Sequence, residues 1–407
     1  MTARAPVYAV RLLSKVDNSP SYDLDERVLS IEYEDNAKAV DKLSITLDNF
    51  DLKLFDDERW RLGAVLEVAW GYAGEMTTPR RCEIRKMSGF SQLKVEALSE
   101  LLKMNSEKRR RTFENMTHSE VVEKIATEPP YRYSSPIVQD TKIKYEHVVQ
   151  PSMTDAQFIT WLAKKEGYRF FVDKGGTLHF HVAKYDEAPV RSLAYYAGPN
   201  SGDILDISIE HDQKNKAGKR TLEGRDPIKK EPIKEKAGNA ETKRDGLAPV
   251  TDTEAKSSGF KIGVNAASGE LSIAIEEKAP TTRTTKDAAK READAQYLER
   301  TRPEVKITMT VVGDRELATH KVVLLENIGR RFSGRYYITK CVAKISRQGF
   351  TNELELERDG HNGYGSSKDV KNEVALNKKP VKKKGEPEQR VGVNGQSGET
   401  EIRWVNK

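Results

Sequence analysis

Period-two alternation of apolar and polar residues constrains this chain more than any other feature. Leu29, Ile31 and Tyr33 fall on one face, with Ser30 and Glu32 on the other. Leu43, Ile45 and Leu47 repeat the pattern against Ser44, Thr46 and Asp48. Leu66, Val68 and Trp70 do so again, followed by Leu93, Val95 and Ala97. Successive side chains on a strand point to opposite faces, so each run reads as a half-buried strand. Gly63, Gly71, Gly74, Pro79 and Gly89 lie between or beside the runs as turn signals. Short strands at this spacing predict a small antiparallel barrel or sandwich.

The period then changes to that of a helix. Thr117 and Glu120 form a capping box, and Val121, Val122 and Ile125 follow at helical spacing up to Pro129-Pro130. Thr154 and Gln157 form a second box before the apolar stripe Phe158, Ile159, Trp161 and Leu162, and Gly167 is placed to cap its end. The segment YRFFVDKGGTLHFHV reads as a hairpin around Lys174-Gly175-Gly176. Residues from about 103 to 190 therefore read as an α+β insertion with its own core.

Strand character returns at Leu205, Ile207 and Ile209. Residues 226–285 are rich in Lys and Glu and nearly free of aromatics, which predicts an exposed insertion, ordered at most in part. Within it, GFKIGVNAASGELSIAIEE has the pattern of a hairpin. A charged helix is expected over Lys286 to Arg300. A second β block follows through Val305, Ile307, Met309 and Val311, Val322 to Leu325, Tyr336 to Cys341, and Leu354 with Leu356. The expected domains are 1–102 (first β block), 103–190, 191–360 (second β block carrying the insertion) and a flexible tail over 361–407. Ile402, Trp404 and Val405 form a short apolar end to that tail. They are candidate interaction residues, because tryptophan is favoured at binding hot spots.

Composition narrows function by exclusion. The chain has 407 residues, enough for two to four domains, and a mean hydropathy of -0.70. No stretch approaches the ~20 apolar residues of a membrane span, so no membrane insertion is expected. The N-terminus lacks the apolar run of a secretory signal. Cys82 and Cys341 stand far apart, giving neither a disulfide framework nor a zinc cluster. His179 and His181 alternate on one strand and share a face, but no spacing marks a third or fourth ligand, so neither metal nor cofactor is expected. Glycoside hydrolysis needs two positioned carboxylates, and no segment isolates such a pair in an apolar setting. No nucleophile or phosphate-loop signature stands out, so no catalytic residue is assigned. The net charge is +6, from 69 basic and 63 acidic residues. Basic runs at Lys108 to Arg111, Lys229 to Lys236 and Lys378 to Lys384 lack interleaved aromatics, so no specific nucleic-acid binding is expected.

The order of these elements, with several segments, resembles the phage late control protein D family, the baseplate hub of contractile phage tails. IGRRFSGRYYITKCVAKISRQGFTNELELER, residues 328–358, resembles that family's closing stretch through Gly329, Arg330, Arg331, Phe332, Ser333, Gly334, Arg335, Tyr336, Tyr337, Gly349, Phe350, Thr351, Leu354 and Leu356. Residues 154–181 resemble its helix-plus-hairpin module, and LEGRDPIKKEPI over 222–233 its strand followed by Asp-Pro. Where the family commonly has a histidine in the penultimate strand, this chain has Ala343.

The resemblance implies a mainly β fold with an α+β insertion: two tube-protein-like β-barrels plus a small helix-hairpin domain, forming a pseudo-sixfold ring as a trimer. The same fold occurs in the N-terminal half of type VI secretion spike proteins. The implied partners are two further copies of the chain, the tail tube or a tube-initiator protein, a separate spike protein and the tape-measure protein. The implied location is a virion or injection-particle baseplate assembled in the host bacterial cytoplasm. A tail-associated cell-wall hydrolase, a nucleic-acid-binding module and a secretion-system spike base are the alternatives. They are separable by zymography, by gel shift and by the flanking genes.

Overall fold

The computed structural model describes residues 5–13, 20–99, 103–196 (except 106, 132, 134 and 186), 202–211, 219–225, 230–238, 276–280, 286–301, 305–358 (except 330–331), 388–393 and 400–405. The first block comprises β1 (Pro6–Leu13), β2 (Pro20–Asp23), β3 (Val28–Asn36), β4 (Lys42–Asp48), α1 (Lys53–Asp56), β5 (Val65–Tyr72), β6 (Glu75–Met76), β7 (Arg80–Gly89) and β8 (Gln92–Ser99). The helical module follows, with β9 (Lys108–Thr117), α2 (His118–Thr127), β10 (Ile137–Val138), β11 (Lys144–Thr154), α3 (Asp155–Glu166), β12 (Tyr168–Val172) and β13 (Leu178–Val182). Next come β14 (Arg191–Ala194), β15 (Ile204–His211), β16 (Lys219–Arg225), β17 (Pro232–Gly238), β18 (Glu276–Pro280) and α4 (Lys286–Thr301). The second block is completed by β19 (Val305–Val312), β20 (Val322–Glu326), β21 (Gly334–Ser346) and β22 (Gly349–Glu357), and the tail carries β23 (Glu388–Val393) and β24 (Thr400–Val405).

The expected pair of barrels is corrected by the strand order. One 14-stranded sheet runs β15-β19-β22-β21-β3-β4-β8-β7-β5-β1-β2, with β6, β14 and β20 off this path. Its two ends are β15 and β2, and neither block closes on itself. A strand has two hydrogen-bonding edges, and closing the first block would need the outer edge of β3. That edge is taken by β21, which pairs Lys340 to Ser346 with Asn36 to Ser30. The other edge of β3 holds β4. β21 in turn forks: its beginning pairs with β20 and its remainder with β3 and β22.

The main core follows this seam. Ile31, Tyr33, Leu43, Ile45, Leu66, Val68, Leu93 and Val95 pack together with Ala343, Ile345 and Phe350, which come from some 250 residues further along the chain. A second β core gathers Ile307, Met309, Val311, Val323, Tyr336, Ile338, Leu354 and Leu356. Two registers depart from the sequence pattern: in β15 the pairing shifts between Ile204 and Asp206, so Ile204 is buried while Leu205 is exposed, and the other shift lies in the first block. The pairing shifts between Val28 and Ser30, a β-bulge, so Val28 is buried while Leu29 is only partly so.

The module has its own core of Val121, Val122, Ile125, Phe158, Ile159, Leu162, Leu178 and Phe180. Both capping boxes form: Thr117 accepts from the Glu120 amide and Thr154 from the Gln157 amide, and each partner side chain reaches back to the cap amide. Gly167 takes the left-handed conformation at the end of α3, with φ 71°. A Cβ built there would stand 3.1 Å from Ala295 Cβ on α4.

Of the insertion, residues 230–238 and 276–280 are described, and they carry β17 and β18. β17 and β18 flank β16 in a three-stranded sheet. Leu222 and Ala237 from this sheet pack against Ala293 and Tyr297 of α4. The hairpin read over 259–277 lies outside the described residues except Glu276 and Glu277, which open β18. In the second unit of the chain, β23 and β24 pair antiparallel. Among the described residues no helix is long and apolar enough to cross a membrane.

Candidate functional site

The titratable side chains converge where the module hairpin meets the large sheet. The turn at Asp173 is tied by its own carboxylate, which accepts from the amides of Gly175 at 2.9 Å and Thr177 at 2.8 Å. This fixes β12 against β13 in the register that places Phe171 opposite His179. The Phe171 ring lies between two imidazoles: His179 at 4.6 Å on one side and His320, from the loop before β20, at 3.6 Å. His181 meets the same ring edge-on.

The two strand histidines share a face, as their spacing predicts, and the fold adds His320. Their nitrogens are engaged by protein groups. His181 Nδ1 donates to the Val182 carbonyl at 2.6 Å, and His179 Nε2 lies 3.1 Å from Asp173 Oδ2. His320 Nδ1 shares a hydrogen bond of 2.7 Å with the Tyr337 hydroxyl. Burial, then the charge of Arg169, pushes the His320 pKa down to about 3. Among the described residues no group of His, Cys, Asp and Glu could hold a metal ion.

Beneath the hairpin tip lies a buried charge cluster. Arg80 is 6% exposed, and its guanidinium donates to the Tyr33 hydroxyl at 3.1 Å. Tyr33 donates to Asp41 at 2.9 Å, and Asp35 accepts from the Thr319 amide and hydroxyl. Burial, then the charge of Asp35, raises the Asp41 carboxyl well above its usual range. Burial, then the neighbouring Arg80 charge, lowers the Lys174 pKa. Burial pushes the Cys341 thiol up to about 12, so it is no nucleophile at neutral pH. A second tie crosses the seam from Arg169, which donates to Glu357 at 3.0 Å, and Tyr185 donates to the same carboxylate.

Asp35, Asp41, Arg80, Arg169, Lys174 and the three histidines line an open cavity of about 900 Å³ between the β3–β4 loop, α3, the hairpin and the 316–321 loop. Part of its polar lining is paired internally, whereas Arg80 Nε and Arg169 Nε are buried without a hydrogen-bond partner, and the arrangement joins three parts of the fold. Sequence reading found His179 and His181 but not Arg80, Lys174 or His320. Those three lie in β7, the β12–β13 turn and the loop before β20, elements far apart in sequence.

The other candidates are placed as follows. Ile402 stands opposite Val391, Trp404 opposite Gln389 and Val405 opposite Glu388 in the β23–β24 ladder, and their side chains lie outside the described residues. Arg109 and Arg111 of the first basic run both reach the buried Asp155. Lys234 of the second pairs with Glu223 at 3.0 Å. The third run, 378–384, lies outside the described residues. Sequence reading also passed over Phe50, Phe55 and Phe90, which are exposed at chain reversals. The available signal was an aromatic residue beside turn-forming ones: Asn49 and Asp51 around Phe50, Asp56 after Phe55, and Gly89 and Ser91 around Phe90.

The fold is that of phage tail proteins. The chain is similar to the tail protein from Neisseria meningitidis MC58, with a TM-score of 0.61 and 16% identity over 87% of this chain and 97% of that one. It is similar to the 43 kDa tail protein of prophage MuSo2 from Shewanella oneidensis, with a TM-score of 0.59 and 11% identity over 87% and 99%. It is also similar to the prophage tail protein gp18 from Listeria monocytogenes EGD-e, with a TM-score of 0.52 and 12% identity over 91% and 98%. No curated protein matches the sequence. A family model described as the Alg8 N-terminal domain matches residues 27–347, and the chain belongs to that family.

Proposed function

We propose that the chain is a structural, non-catalytic hub subunit of a contractile phage tail or tail-like injection machine. In this reading it acts as a homotrimeric adaptor between the tail tube and the spike, in the manner of late control protein D. The observation that carries the reading is the breadth of the fold likeness: 87% of this chain superposes on 97% of a tail protein. The physics supports it. A hub must hold its two β blocks at one angle, and the β21–β3 ladder does so with backbone hydrogen bonds rather than a linker. The working division is 1–102, 103–190, 191–360 and 361–407. Ile402, Trp404 and Val405 are the tail's anchor toward the spike or the tape-measure protein. Light scattering of the purified chain, alone and mixed with the spike protein, tests the reading. Three copies per particle are expected, and a monomer under both conditions ends it.

A further inference from the structure

The tip of the module hairpin also closes a second, smaller recess. Tyr33, Asp35, Thr77, Arg80, Lys174 and Asn352 surround a free volume of about 10 Å³, room for one water-sized guest. The hydrogen-bonding groups there are one-sided. The acceptors are taken: Asp35 receives the Thr319 amide at 3.2 Å and the Thr319 hydroxyl, and the Tyr33 oxygen receives Arg80 Nη1 at 3.1 Å. Asn352 Oδ1 receives the Asp314 amide at 2.7 Å, and Thr77 Oγ1 the Trp70 amide at 3.1 Å. Donors are left over. Arg80 is 6% exposed, and its Nε is buried with no partner. Lys174 makes no hydrogen bond or ion pair among the described residues. The Thr77 hydroxyl, which accepts from Trp70, still has its own proton to give.

Charge points the same way. The lining carries Arg80, Lys174 and the exposed Arg315 against Asp35. Asp41 lies 3.8 Å from Arg80 but outside the lining. Burial, then the charge of Asp35, raises its carboxyl to about 7, so at neutral pH it offsets Arg80 only in part. A water held in the recess has two protons to give where the acceptors are already engaged, whereas an anion only accepts. Carboxylate, phosphate and sulfate exceed the volume. A halide is little larger than a water, and the flexible arm of Lys174 can yield to it. Trp70 and Leu317 complete the wall, and apolar surroundings strengthen the attraction between an anion and the two cations.

We infer that the recess between Arg80, Lys174 and Thr77 is a binding site for one chloride ion, which ties the module hairpin to the first β block. The ion accepts from a cation of each part and so bridges two like charges that otherwise repel. The test follows thermal unfolding of the full chain as sodium chloride replaces sodium gluconate at constant ionic strength, in the wild type and in Lys174→Met. Wild-type crystals soaked in bromide are examined for anomalous density. Between about 1 and about 100 mM chloride the wild-type Tm should rise by about 2–4 °C, and that of Lys174→Met by less than about 1 °C. Bromide density should lie within hydrogen-bond reach of Arg80 Nε and the Lys174 ammonium. Should Lys174→Met not fold, Thr77→Val replaces it and should lose at least half of the wild-type shift. Equal shifts in wild type and variant are a general salt effect and overturn the assignment. So does a recess that holds a water and no bromide. Bromide density without a chloride-dependent Tm means an adventitious ion only, and overturns it as well.

Discussion

Phe171 of the module hairpin stacks on His320 of the second block, with ring centroids 3.6 Å apart and planes 8° from parallel. The imidazole is neutral in this contact and charged in the unfolded chain below its ordinary pKa of 6.5. The unfolded state therefore binds more protons, and stability falls as pH drops from about 6.5 toward 3. His179, His181, Arg169 and Lys321 add repulsion to any charge placed there. At pH 5 the loss should be about 2 kcal/mol. Asp41 acts with the opposite sign: its raised carboxyl pKa withdraws stability as pH rises above its unfolded value of 3.8. In thermal unfolding, lowering the pH from 7.5 to 5 should move the Tm of His320→Gln upward relative to that of the wild type, whose Asp41 contribution both chains share.

Gly167→Ala should cost about 1–2 kcal/mol in denaturant unfolding. The left-handed backbone disfavours any Cβ, and the added methyl meets Ala295 Cβ at 3.1 Å. An unchanged midpoint would mean that α3 and α4 are not in contact in solution.

Thr154→Ala removes the cap of α3 and should cost about 1 kcal/mol. The same hydroxyl donates to Asn105 Oδ1 at 3.0 Å, so amide exchange should quicken both at the start of α3 and near residue 105. Protection unaltered at both places would contradict this.

Ile345→Ala, in the strand that joins the two blocks, should cost about 2–4 kcal/mol. Ile345 is 2% exposed and packs in the first core, so the unfolding of both blocks should shift together. A shift of one core without the other would show that the cores are independent.

Removing residues 361–407 should leave the copy number intact and weaken spike binding at least tenfold. Co-purification with the spike protein measures both. Equal loss of the two would place the tail in a contact between copies of the chain instead.

Local structure was legible in the sequence because its causes are local. The hydroxyls of Thr117 and Thr154 have partners three residues away, and Gly167 reports its own backbone. Alternation named the strands but not their neighbours. Nothing in the Lys340–Ser346 stretch indicates that β3, some 300 residues earlier, lies beside it, and this pairing is what leaves the sheet open. The bulge that turns Val28 inward in place of Leu29 was hidden for a related reason, because both residues are apolar and either satisfies the pattern. The junction cluster was legible only at His179 and His181, which share a strand. Arg80, Lys174 and His320 are ordinary polar residues until three distant elements converge.

The sharing of one core between β3 and the 343–350 stretch has a consequence during synthesis. The amino-terminal strands leave the ribosome early, yet three of the residues that complete their packing are among the last of the folded region to be made. At ordinary elongation rates the interval is on the order of tens of seconds. For that time the apolar face of β3 lacks part of its packing, and transiently exposed apolar surface of this kind is prone to aggregate.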